Sequence, residues 1–189
     1  MSQPNSSFVE EIKAAVRGCI ALVMGRRDAP SYFDFSQRGL VGSLLAVVIA
    51  IALAGFGPLL AGARLPAGAA TQSVVVNAVL FGAQALTAWI ALRQMRRGDG
   101  FAPYLVASNW VTFTTAVLLL LSTFLGPLGI IILVVVVVIA IMTFINIGRF
   151  VVTLAPLQIG LLFLSQAVGV FLALGVVAIM LPPPPLPPV

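Results

Sequence analysis

A chain of 189 residues in which 61% are hydrophobic and only 8% charged lies far from a soluble domain, where roughly a quarter of residues carry charge; its mean hydropathy is +1.17. One cysteine and no histidine exclude an intrachain disulfide and leave no ordinary ligand set for a metal. The net charge of +5 sits on residues that flank apolar runs, which points to anionic lipid headgroups and membrane orientation and away from nucleic acid.

The N-terminal segment, residues 1–39, contains the one strongly amphipathic stretch, residues 8–24. Ser7 followed by Glu10 is a capping-box spacing that specifies where this helix begins. On a helical wheel Phe8, Val9, Ile12, Ala15, Val16, Cys19, Ile20, Leu22 and Val23 share about 160° of arc, and Glu10, Lys13, Ala14, Arg17, Gly18 and Ala21 fill the other side. Such a helix lies at the membrane interface, with Phe8, Ile12 and Val16 toward lipid or neighbouring helices and Lys13 and Arg17 toward headgroups. It is either an anchor packed along the bundle or a docking surface for a cytoplasmic partner. In the elbow that follows, Arg26 and Arg27 reach phosphates while Tyr32, Phe33 and Phe35 insert at the interface. Asp34 or Ser36 caps the next helix.

A bilayer core needs roughly 20 apolar residues per helix, and five segments qualify: residues 40–62, 74–92, 104–125, 130–147 and 151–181. The first is preceded by Glu10, Glu11, Asp28 and Asp34, which is not the short basic region of a cleavable signal, so it is expected to stay as an anchor. The run 130–141 is rich in Ile and Val, yet an open strand cannot satisfy its backbone in lipid, so helix is expected. Pro156 divides the long last segment, placing residues 150–155 at the interface or at the start of a tilted helix. The tail, residues 182–189, is expected to be polyproline II and to stop that helix. The fold class is thus all-α: a polytopic bundle of five transmembrane helices, residues 40–181, with an N-terminal interfacial amphipathic helix.

Nine of the ten basic residues fall on one side of this pattern. They are Lys13, Arg17, Arg26, Arg27, Arg38, Arg93, Arg96, Arg97 and Arg149, against Arg64 alone on the other. The positive-inside rule then puts the N-terminus in the cytoplasm and the C-terminus outside. Trp89, Phe101, Tyr104 and Trp110 gather near the charged side, as interfacial rings do.

Between the flanks there is no charge, which disfavours proton-coupled pumping, voltage sensing and intramembrane proteolysis. No enzyme activity and no cofactor are expected. Neutral polar residues remain: Asn77 and Gln84 on one face of the second span, Asn109 on the third, Asn146 on the fourth and Gln166 on the fifth. They either bond helix to helix or line a path for a small uncharged solute. Small residues, Gly160, Gly169 and Gly175 among them, suit close helix packing and allow a homo-oligomer.

The basic amphipathic N-terminus, the elbow 28–36 running into Gly39-Leu40-Val41-Gly42-Ser43, and five closely spaced spans together resemble small bacterial membrane proteins of the Yip family type. That resemblance implies a multi-pass protein of the bacterial inner membrane, engaged in membrane organisation or trafficking through protein partners, with no catalytic residues. The leading reading is a non-enzymatic protein acting through lipid and protein contacts at its cytoplasmic face. The alternative is a transporter or channel component for a small uncharged solute.

Overall fold

The computed structural model describes residues 7–180. The first six residues, the end of the last predicted span and the Pro-rich tail 182–189 lie outside the described residues. Six helices follow in order: α1 Phe8–Val23, α2 Gln37–Leu60, α3 Ala69–Gln94, α4 Phe101–Thr123, α5 Gly129–Asn146 and α6 Pro156–Met180. No strand occurs among the described residues. The last five helices are each long and apolar enough to cross a membrane.

The ends of these helices differ from those of the apolar stretches because local chemistry fixes them. Ser36 caps α2 by accepting a hydrogen bond from the Gly39 N–H (3.4 Å), so the helix starts at Gln37 and takes in Arg38. Pro58 lies inside α2 and leaves the Ala54 carbonyl without its usual i+4 donor. The Ser73 hydroxyl of α3 donates to that carbonyl instead (3.4 Å), the kind of repair that makes proline tolerable in lipid. At the other break, α5 ends in a π turn, Ile147–Val151, and α6 begins at Pro156, a residue suited to a first helical turn. The intervening backbone is pinned by Arg97, whose guanidinium donates to the Val152 carbonyl and the Thr153 hydroxyl. The Gln158 side chain accepts from the Ala155 N–H (2.9 Å). Residues 150 and 151 thus complete the fourth span and residues 152–155 are a pinned link, so none of them is part of the fifth.

The bundle is arranged around α4. It lies along α2, and α5 packs on its other side; α3 joins α2 to α6. Glycines let α3 approach both α6 and α2 closely. A Cβ on Gly169 of α6 would come within 2.4 Å of Thr87 of α3, and one on Gly55 of α2 within 2.4 Å of Val74 of α3. Without a hydrophobic force between helices in lipid, such close van der Waals approach is what holds spans together. The seam of α5 is narrow: Val136, Thr143 and Asn146 are buried, while most of its Ile and Val residues face outward.

Chain connectivity brings the start of α2, the end of α3, the start of α4, the end of α5 and the start of α6 to one end of the bundle. All five acidic residues and nine of the ten basic ones lie on segments at this end.

Candidate functional site: the charged end and the helix laid across it

Helix α1 forms as its capping box dictates. Ser7 Oγ accepts from the Glu10 N–H (3.3 Å) and Glu10 Oε2 accepts from the Ser7 N–H (2.8 Å). It stops at Gly25, whose φ of 67° permits the paired bonds Gly25 N–H to Leu22 O (3.1 Å) and Arg26 N–H to Ala21 O (2.9 Å) of a left-handed helix end. Between these ends it crosses α4, from α2 at its first turns to α5 at its last. Glu11 lies against Gly42 of α2, where a Cβ would be 2.4 Å from its carboxylate. Phe8 meets Trp110 of α4 with ring centroids 6.2 Å apart, Thr114 of α4 donates to Cys19 Sγ (3.6 Å), and Asn146 of α5 donates to the Leu22 carbonyl (2.7 Å).

The face α1 turns inward differs from its most apolar arc. Ala15, Gly18, Cys19, Ala21 and Leu22 are the buried residues. Gly18 and Ala21, on the polar side of the wheel by hydropathy, admit the neighbours: a Cβ at Gly18 would sit 2.6 Å from the Phe33 ring. Val9 (57% exposed), Ile20 (51%) and Met24 (69%) stay outside, next to exposed Lys13 and Arg17, with Ile12 and Val16 half-buried. Helix α1 thus turns small residues toward protein and an open face outward, on which Val9, Ile20 and Met24 are interspersed with Lys13 and Arg17.

The elbow is divided in the same way. Arg26 and Arg27 are exposed, and Arg26 pairs with Asp28 (2.5 Å), holding the Asp28 carboxyl below the usual range. Tyr32 and Phe35 are half-buried. Phe33, expected to insert at the interface, is instead buried in the core, because Gly18 leaves a slot for its ring. Two of the four predicted interfacial aromatics are also core residues: Trp110 is 1% and Tyr104 4% exposed. Trp89 remains open, with the Arg93 guanidinium 5.2 Å from its ring centroid.

Two titratable groups of α1 are perturbed. Burial pushes the Cys19 thiol up to about 11. Glu11 Oε1 is buried without a hydrogen-bond partner among the described residues. Burial, and then the nearby Asp34, raise its carboxyl above the usual range, while Arg38 pulls the other way.

The neutral polar residues do not converge. Asn109 donates to Ser43 Oγ (3.1 Å) in the buried α2–α4 contact, a bond worth about 0.6 kcal/mol in a membrane bundle. Asn146 holds α1, as above. Asn77 bonds within its own helix, to the Ser73 carbonyl (2.9 Å). Gln166 Nε2 donates to the Tyr104 hydroxyl (2.6 Å), joining α6 to α4. Only Gln84 has a side chain with no partner among the described residues, and it lies with Gln166 on a groove between α5 and α6. Sequence reasoning missed that groove and Arg149 on its rim, since the uniform apolarity of α5 gives no sign of which face is left open.

A bundle of five membrane-length apolar helices with a sixth laid across its charged end is that of a multi-pass integral membrane protein. No protein-family model, curated protein or solved structure matches the chain.

Proposed function

We propose that this is a non-enzymatic membrane-organising protein, of the kind the Yip-type topology implies, working through lipid and protein contacts at its charged, cytoplasmic end. One observation carries the reading. Helix α1 gives its small residues to the bundle and keeps a second apolar strip, Val9, Ile20 and Met24, exposed beside Lys13 and Arg17. Packing on the bundle alone does not require that strip, whereas an apolar strip interspersed with cations suits the acyl–headgroup boundary or a partner helix lodged there. Arg26 and Arg27 add to these cations.

Replacing Val9, Ile20 and Met24 together by Ser tests this, because the buried face of α1 is left intact. A photo-crosslinking residue at position 17, beside the strip, is expected to capture lipid or one reproducible protein partner in the native membrane. The triple variant is expected to lose that adduct with unchanged helicity and melting temperature. An unaltered adduct pattern would refute the assignment. Solute uptake into proteoliposomes that vanishes in Gln84→Leu would favour the transport reading instead.

A further inference from the structure

Helices α5 and α6 meet near the charged end, where the Phe144 and Phe163 rings are edge to face with centroids 5.7 Å apart. Around that contact they leave a groove of about 890 Å³, within the roughly 300–1,000 Å³ range of sites that hold small molecules. Its walls are apolar, and it opens sideways: Ile141, Phe163 and Phe171 are all more than half exposed. At Gly160, on its α6 wall, an added Cβ would meet nothing within 4 Å.

Three polar residues break the apolar lining, Arg149, Gln84 and Gln166, and the Gln166 amide already donates to the Tyr104 hydroxyl. Arg149 stands at the charged end of the groove, exposed, with its guanidinium 5.2 Å from the Phe150 ring centroid and no carboxylate partner among the described residues. Gln84 lies deeper, its amide unpaired. Gly148 abuts Ile159, so Arg149 sits about two helical turns, roughly 10 Å, from the level of Gln166 on α6, where Gln84 joins the lining. A cation at the headgroup level and an amide further in, on one apolar wall, leave two unmet needs: an anion, and a hydrogen-bond acceptor a short way down a hydrocarbon tail.

We propose that the groove binds one anionic glycerophospholipid from the leaflet at the charged end. Its phosphate sits on Arg149 and one acyl chain runs past Phe144 and Phe163 toward Phe171. A chain ester carbonyl accepts from Gln84, whose flexible side chain and that of Arg149 cover the difference between their spacing and the shorter phosphate-to-ester distance. Another transmembrane helix would bury the apolar wall, yet would need its own anion at Arg149; the phospholipid supplies both groups in one molecule. This site is separate from the outer strip of α1, so either assignment can fail without the other.

Native mass spectrometry of the detergent-purified full chain, titrated with phosphatidylglycerol and with phosphatidylcholine, tests the assignment. The first bound lipid is expected to favour phosphatidylglycerol by about fivefold, the effect of one well-placed cation near a headgroup. Arg149→Ala is expected to abolish that preference and Arg149→Lys to restore most of it, while Arg96→Ala, at the same end but off the groove, leaves it unchanged. Gln84→Leu is expected to weaken binding of the diester lipid and not of its diether analogue. Gly160→Phe, which fills open space, blocks the site without loss of helicity. Equal preference in wild type and Arg149→Ala would overturn the proposal, as would dimer masses that persist on adding lipid, which would give the groove to a second copy.

Discussion

Glu11 is the residue at which the packing of α1 conflicts most with its chemistry: a carboxylate oxygen is closed in against Gly42 with nothing to bond. Its carboxyl titrates above the ordinary glutamate range, so the folded protein holds that proton more tightly than the unfolded chain does. The resulting stabilisation is complete below the ordinary range and is lost as pH rises through the elevated value. Glu11→Gln is therefore expected to raise the melting temperature of the detergent-purified protein at neutral pH, by a few degrees, and to show no gain in acid. A gain that persists in acid would assign the effect to packing and not to charge. In the sequence Glu11 stands only as one of the acids that precede the first span, and nothing there marks its carboxylate as closed in. The same holds for Phe33 and Trp110, whose ring type suggests an interface and whose partners, Gly18 and Phe8, are distant or uninformative in sequence.

At the scale of the helix, length and hydropathy were enough to find all five spans, because a bilayer admits few alternatives. The ends were less legible: Ser36 was one of two candidate caps for α2, and the left-handed Gly25 that ends α1 acts independently of apolarity. The orientation of α1 was misleading for a physical reason. A wheel weights residues by transfer free energy, but close packing of one helix on others selects for smallness, and Gly18 and Ala21 score poorly on the first measure and well on the second. The crossing of α3 and α6 follows the same logic. Gly169→Val is expected to cost about 1–3 kcal/mol by overpacking against Thr87, whereas Gly175→Val, with no atom within 4 Å of the added Cβ, is expected to be neutral. Unfolding in a denaturing detergent measures both, and an equal loss in the two would remove the close-contact argument.

For the whole molecule, the gathering of charge at one end is the property most directly tied to membrane insertion. If that end faces the cytoplasm, a membrane-impermeant thiol reagent on intact cells labels Arg64→Cys and leaves Gly98→Cys untouched. Cys19 stays silent in both, being buried with its thiol pushed up to about 11. Labelling at position 98 alone would invert the topology. The site is less legible at this scale than the fold. Span number and charge placement follow from composition along the chain, but the groove between α5 and α6 depends on how two nearly featureless apolar helices diverge, and no periodicity records that.

The bond from Asn146 to the Leu22 carbonyl joins residues 124 apart in sequence, which has a consequence for synthesis. Helix α1 leaves the ribosome before the other five helices, yet the surface that receives it is complete only after α4 and α5 have been inserted. For most of translation it is a finished helix without a seat, and its open strip with Lys13 and Arg17 is what can hold it on the membrane in the meantime. Docking is then a late step that reports that the fourth and fifth helices are in place.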